Sequence, residues 1–481
     1  MVGPAGQGRR QREALPTLCL CIAVVAINST IVTPAIPSIQ SAVGFSAASL
    51  VWVVNAWVAG FGGFQLLGGR LGDQYGRRRM LLPGVALFTG ATLMCALSTS
   101  PVAIIASRFA QGVLGAMVWT IAFSFMANLF DDAKGRAKAM GLCTFVAASG
   151  GTLGWLLGGA LTTAYGWRAI FLVSVPLGAV AVLLGVRKLP RVARHSPSRR
   201  LDFAGAFAIT AALLLALAAM VDVRSSARMS AEGLACMACA AGLFISFIAI
   251  ERRAPNPLVP LRLFRIREVA LSSVTGALMA AAALPWTYIV SLYLQRILQH
   301  SAYETGLILL PANVLTAVLS LAVAPKLVAR MGALPPLVTG LICMVGALAL
   351  LACMPLHSTL LWPVLPATAL IGLGIGLAYA PLLTSAVSHV PAQDFGIASG
   401  LINTIYTMGG AMGLAVVGSL ASARSESLVG HGADPQTALH GGYRLALWIC
   451  AAIAATAVLV GLLSVLGWNR EVGGAFRRVD G

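Results

Sequence analysis

Charge is the scarcest thing in this chain. Only 10% of its 481 residues are Asp, Glu, Lys or Arg, against 58% that are hydrophobic. Soluble domains carry roughly 25% charged residues, so the shortage excludes a water-soluble enzyme and a disordered protein. Acids number 15, and none stands in the middle of a long apolar stretch. No G-x-x-x-x-G-K loop followed by Ser or Thr is present, so ATP-driven export would need a partner. The nine cysteines all lie in apolar runs, and Cys236 and Cys239 lack a second pair or a histidine at zinc spacing. None of His195, His300, His357, His389, His431 and His440 sits mid-run beside an acid, and no loop exceeds about 25 residues. A non-transporting membrane enzyme or sensor is therefore the less favoured alternative to a transporter. No catalytic residue, metal or cofactor is expected. The first apolar run has no short core followed by an A-x-A site, so no cleavable leader is expected.

What the sequence does have is length without charge. A charge at the bilayer centre costs about 2.5–3.5 kcal/mol on insertion scales, so membrane spans should show as gaps in the charge map. Twelve such gaps occur: 14–69, 80–107, 109–130, 139–167, 169–186, 203–221, 233–250, 269–295, 305–325, 331–393, 395–423 and 445–469. The runs 14–69 and 331–393 each hold two helices and a turn, which gives fourteen spans. Helices are the only choice, because backbone groups in hydrocarbon must bond internally and no ten-residue alternating strands recur. The expected fold is an all-α integral membrane protein with 14 transmembrane helices.

The net charge of +18 could point to nucleic acid, but its placement does not. Of the 33 Lys and Arg residues, 26 fall in the tails and loops of one side and six on the other. That asymmetry puts both termini in the cytoplasm. Trp167, Trp362 and Trp468 near span ends suit the bilayer boundary. The loop 69–77, GRLGDQYGR, is matched weakly by 325–333, PKLVARMGA, with Leu71 and Gly76 aligned on Leu327 and Gly332. A repeat of this kind marks secondary transporters. The plan is a cytoplasmic tail (1–13), a six-helix bundle (14–186), linkers carrying two extra helices (187–268), a second six-helix bundle (269–469) and a tail (470–481).

Three motifs carry the functional reading. In GRLGDQYGRRR, Gly69, Gly72 and Gly76 permit a tight turn and Asp73 is a lone acid ahead of Arg77, Arg78 and Arg79. In the fourth span, Arg108 lies inside the apolar run as Arg108-Phe109-Ala110-Gln111-Gly112, and an intramembrane arginine is a functional hypothesis by default. In the fifth span, Gly141, Gly150, Gly154, Gly158 and Gly159 form a smooth helix face. Gly409-x-x-x-Gly413 repeats the small-residue spacing.

These motifs resemble the major facilitator superfamily, in particular its fourteen-span drug:proton antiporter branch. The first is similar to G-x-L-a-D-x-x-G-R-R/K, which in that family joins helices 2 and 3 and latches one access state. The second resembles R-x-x-Q-G, linked there to proton transfer or to ordering helices 1 and 4. The third resembles the antiporter motif G-x8-G-x3-G-P-x2-G-G, except that Trp155 replaces the proline. Trp167-Arg168-Ala169-Ile170-Phe171 and Leu201-Asp202-Phe203-x-Gly205 extend the match. The resemblance implies two six-helix bundles of the major facilitator type plus two inserted helices. It also implies a bacterial inner membrane, and the Ala-, Gly-, Leu- and Arg-rich usage with four lysines fits a GC-rich genome.

The implied activity is export of small, fairly apolar compounds, drugs or antibiotics, by alternating access and proton antiport. The partners are a small-molecule substrate, the lipid bilayer and a proton as coupling ion, with no nucleic acid, and a monomer is expected. The expected gating residues are Gly69, Asp73, Gly76, Arg77, Arg108, Gly150, Gly154, Gly158 and Gly159. Substrate-binding candidates on the pathway helices are Asn28, Thr30, Asn55, Trp286, Tyr293, Asn313, Tyr379, Asn403 and Tyr406. One departure matters. Asn28 stands where the branch carries an acid in helix 1, and an amide cannot take up a proton. Bulky dications are therefore poor substrates, and neutral or anionic compounds near Arg108 fit better. Coupling would need Asp73, Glu304 or a substrate-borne proton. The alternative is an exporter or facilitator of an endogenous metabolite without proton coupling.

Overall fold

A computed structural model describes residues 4–46, 49–127, 129, 133–190, 202–221, 230–254, 261–356, 362–387, 390 and 395–476. Helix α1 (Pro4–Thr30) passes through a 3-10 turn at Thr33–Ala35 and resumes as α2 (Ile36–Val43). Pro34 and Pro37 supply no backbone donor there, so the regular ladder cannot run through. There follow α3 (Trp52–Tyr75), α4 (Arg77–Leu97), α5 (Pro101–Ala127), α6 (Ala133–Tyr165), the short α7 (Ala169–Leu172) and α8 (Ser174–Lys188). A middle pair, α9 (Phe203–Val221) and α10 (Ala231–Arg253), leads to the second half. That half contains α11 (Arg267–Arg296), α12 (Ala302–Val318), α13 (Ala324–Met331), α14 (Leu334–Ala352), α15 (Val364–Val387), α16 (Phe395–Gly430) and α17 (Pro435–Phe476). A π-turn at Leu319–Val323 joins α12 to α13. It widens the helix just ahead of Pro325, whose ring would otherwise strike the preceding turn.

The molecule is all-helical among the described residues, and twelve of its helices are long and apolar enough to cross a bilayer. The charge map predicts fourteen. Helix α3 falls short because Asn55, Gln65 and its glycines dilute an uncharged run. Helix α9 is strongly apolar along Phe203–Val221, and the stretch whose side chains the structure describes, Ala204–Ala219, is too short by itself to count as a span. An absence of charge is a weaker property than strong hydropathy, and α3 has the first without the second.

Small residues set the helix pairing, and the pairing repeats. Gly150, Gly154 and Gly158 of α6 lie against α1, where a Cβ on Gly154 would come within 2.6 Å of the Ile27 carbonyl. In the second half Gly409 and Gly413 of α16 lie in the same way on Ala277 and Ala281 of α11. Gly60 and Gly112 bring α3 onto α5, and Gly372 and Gly376 bring α15 onto α12. Gly76 and Gly332, matched in the sequence repeat, both end a helix with positive φ, 98° and 82°. Each therefore occupies backbone space that an L side chain resists. The weak repeat in sequence is thus a repeat of packing.

The halves meet where Gly159 of α6 rests on the backbone of Ala302 and Tyr303 at the start of α12. They also meet where Ser291 donates to the Thr33 carbonyl at 3.4 Å and where Gly418 faces Val51. Helix α9 lies on both α3 and α16, with Leu67 and Ala206 packed together. Its start is capped by Asp202, whose Oδ1 accepts from Gly205 N at 2.7 Å, which explains the Asp-Phe-x-Gly motif.

Candidate functional site

Between the halves lies a cavity of about 420 Å³. Helices α1, α3, α5 and α6 form one wall, and α11, α12, α15 and α16 the other. Trp57, Phe61, Trp119 and Trp155 line the first wall; Trp286, Tyr288 and Tyr406 line the second. Thr30, Thr33, Asn313, Asn403 and Thr407 supply polar groups, and no Asp, Glu, Lys or Arg is among the lining residues. The volume and the mixture suit a drug-sized ligand, held by apolar contact and oriented by a few polar atoms.

The walls are fixed by their own contacts. Trp57 stacks on Phe61 with centroids 4.8 Å apart, and Phe61 meets Trp119 edge-on at 6.1 Å. Opposite, the Tyr379 hydroxyl donates to Asn403 Oδ1 at 2.8 Å and its ring meets Tyr406 at 5.1 Å. This leaves the Asn403 amide group and the Tyr406 edge for the cavity. Asn313 donates to the Leu309 carbonyl at 3.1 Å and Thr30 to the Gly151 carbonyl at 2.8 Å. Helix α6 runs through Trp155 without a break, and the indole, 2% exposed, occupies cavity wall.

Arg108 is fully buried behind this wall. Its Nε donates to the Val53 carbonyl at 3.0 Å and its Nη1 to the Asn28 carbonyl at 3.4 Å and to Gln111 Oε1. Gln111 then donates to Asn28 Oδ1 at 3.0 Å and to Thr92 Oγ1 at 2.8 Å. Asn28 closes the set by donating to the Val24 carbonyl at 2.8 Å. The guanidinium lies 5.7 Å from the centre of the Trp57 ring, so an aromatic face separates it from the cavity. The charge is balanced by carbonyl dipoles and a π-face, and among the described residues none of its hydrogen-bond partners is a carboxylate.

The structure thus sorts the predicted residues. Thr30, Trp286, Asn313, Asn403 and Tyr406 share one cavity, with Tyr379 immediately behind Asn403. Asn28 lies in the Arg108 cluster rather than in the cavity lining. Asn55 is fully buried in α3, with no hydrogen-bond partner for its amide among the described residues. Tyr293 is buried at the far end of α11, where its hydroxyl donates to the Pro355 carbonyl at 3.2 Å. Gly69, Gly76 and Arg77 lie at the α3–α4 turn, and Arg78 donates to the Val186 carbonyl. Gly141 lies in α6, and the side chain of Asp73 and the surroundings of Gly141 are outside what the structure describes.

The aromatic wall of Trp57, Trp119 and Trp155 was not among the residues picked from sequence. The available signal was spacing: Trp57 with Phe61 and Trp119 with Phe123 each stand four apart, on one helix face. Nearby, Arg168 stacks on Trp167 at 4.4 Å and donates to the Ser98 carbonyl at 3.2 Å. The Trp-Arg motif therefore ties the α6–α7 turn to the end of α4.

Two membrane-spanning helical halves around an uncharged central cavity define a transporter of small molecules. The chain belongs to the Major Facilitator Superfamily, whose family profile matches residues 18–414. It is 34% identical over 447 residues to the cephamycin export protein of Amycolatopsis lactamdurans, covering 90% of this chain and 91% of that protein. It is 31% identical over 463 residues to the puromycin resistance protein of Streptomyces alboniger, covering 92% and 88%. Among solved structures, the POT family transporter PepTSo superposes with a TM-score of 0.69 at 18% identity, covering 96% of this chain and 99% of that one. The last likeness concerns the fold alone.

Proposed function

We propose that this chain exports small, fairly apolar compounds of the antibiotic type from a bacterial cell by alternating access. The observation that carries the reading is the uncharged, aromatic-lined cavity between the halves. The export and resistance names of relatives sharing about a third of its residues support it. A wall of indoles and phenols favours planar, electroneutral ligands, because dispersion and stacking replace water without a charge having to be buried. A bulky dication would find no carboxylate to offset its desolvation.

In this reading all fourteen helices span the plasma membrane, including α3 and α9, with both termini cytoplasmic and the protein a monomer. The ends meeting at Gly159 and Ala302 then lie outside. The glycine faces of α6 and the turn at Gly69, Asp73, Gly76 and Arg77 guide the rocking of the halves, and Arg108 holds the first half together.

The drive is proton antiport through a group at a helix end or a proton on the substrate. Asn28 has no titratable group and is engaged by Gln111. Glu304, two residues beyond the Ala302 contact, is held in a capping box with Ser301 and lies 3.3 Å from His300. A second reading, an uncoupled facilitator, is favoured by the absence of any acid from the cavity lining. Expression in an efflux-deficient bacterium, scored against neutral, anionic and dicationic antibiotics, tests the substrate class. Strong resistance to a permanent dication would overturn it. Efflux unchanged by a protonophore would leave the facilitator.

A further inference from the structure

A second cavity of about 420 Å³ lies between the ends of α11 and α16 and the start of α17, with Leu50 of the first half on one side. Its walls are largely apolar, but Arg296, Tyr288 and Tyr443 converge there, with Ser422, Ser425 and Glu426 also in the lining. Tyr443 is 4% exposed, and its buried hydroxyl has no partner at hydrogen-bond geometry among the described residues. Both phenols lie within electrostatic reach of the Arg296 guanidinium. No described carboxylate forms an ion pair with Arg296. A half-buried cation with no carboxylate paired to it among the described residues, beside a buried phenol and facing one apolar space, forms an incomplete site. An anion entering it would relieve the desolvation of both.

We propose that this second cavity binds an amphipathic monoanion, its apolar body against α16 and α17 and its negative group on Arg296 and Tyr443. The ligand carries a single charge because the exposed Glu426 stands on the rim and repels a polyanion. Tyr288 belongs to the walls of both cavities. Its ring is therefore the partition between an uncharged central chamber and one that holds Arg296. Two sources present this chemistry, a free aromatic carboxylate and the phosphate of a lipid. The site goes beyond the export reading and is read out by binding, without transport.

The test uses the full chain in nanodiscs of zwitterionic phosphatidylcholine. Binding of radiolabelled 1-naphthoate is compared with that of its neutral methyl ester. The expected result is saturable naphthoate binding in excess of the ester. That excess should weaken by about tenfold or more in Arg296→Gln and severalfold in Tyr443→Phe, with ester binding unchanged. Arg296→Lys should restore part of it. If Arg296→Gln does not fold, Tyr443→Phe and the wild-type comparison carry the test. Loss of the excess in discs containing anionic phosphatidylglycerol would assign the site to a lipid phosphate; persistence would assign it to a free carboxylate. No excess in the wild type, or an excess untouched by the variants that fold, overturns the proposal. Failure of the ester to bind at all counts against the central cavity instead.

Discussion

The hydroxyl of Thr30 donates to the carbonyl of Gly151 at 2.8 Å. In an α-helix that carbonyl is also the acceptor for the N–H four residues on, which is Trp155. This is the position at which the resembling antiporter motif has proline, and proline has no N–H to give. The hydroxyl from α1 thus reaches the one carbonyl that a proline at 155 would leave unpaired.

Trp155→Pro should accordingly be milder than an ordinary interior proline, which costs about 3 kcal/mol. With Thr30→Val added, the carbonyl loses both partners and the penalty should exceed the sum of the singles by about 1 kcal/mol. Thermal unfolding of the four proteins in detergent, read as a double-mutant cycle, checks this. Additive penalties would show that the hydroxyl does not serve that carbonyl.

Asn28 donates to the Val24 carbonyl and accepts from Gln111. Asn28→Leu should cost about 1–3 kcal/mol by orphaning buried partners. In Asn28→Asp, one carboxylate oxygen would face the Val24 carbonyl and favour a proton on itself, while the other keeps Gln111. The variant should fold, and its efflux should become more sensitive to a protonophore than the wild type. Equal sensitivity would remove position 28 from any role in coupling.

A Cβ on Gly158 would strike the Ile31 backbone, whereas one on Gly90 meets nothing within 4 Å. Gly158→Val should abolish resistance and lower the recovery of folded protein. Gly90→Ala should be neutral or stabilise slightly, by up to about 1 kcal/mol. Fluorescence size exclusion separates the two, and equal profiles would contradict the close packing of α6 on α1.

Trp57 covers Arg108 on the cavity side, at 5.7 Å from its ring centre. Trp57→Ala should weaken binding of neutral aromatic compounds by about tenfold or more and bring the guanidinium within reach of the cavity. Resistance should shift from neutral toward anionic compounds, measured as inhibitory concentrations over a charge-graded panel. An equal loss for both classes would mean that the indole does not screen the charge.

That the chain is a series of membrane-crossing helices was legible because charge in lipid is costly and leaves gaps, although twelve helices among the described residues, not fourteen, are long and apolar enough to cross. The glycine positions of α6 and α16 were legible because only bare helix faces allow backbone to approach backbone. The direction in which a polar residue points was not. Asn28 and Thr30 are two residues apart on α1, yet Asn28 lies in the Arg108 cluster and Thr30 lines the cavity. Helix rotation decided between them, and rotation is fixed by tertiary contacts such as Gly150 and Gly154 against α1. For the same reason the burial of Asn55 outside the cavity lining and the inward aim of Trp57, Trp119 and Trp155 could not be read; the spacing of Trp57 with Phe61 and of Trp119 with Phe123 marks a helix face but not its direction.

Where Gly159 lies on Ala302 and Tyr303, main chain touches main chain. One side chain also crosses there, Thr163 Oγ1 accepting from Tyr303 N at 3.3 Å. Parting the two helices at this end must therefore break one exposed polar bond along with the bare backbone contact, so the contact works as a weak latch.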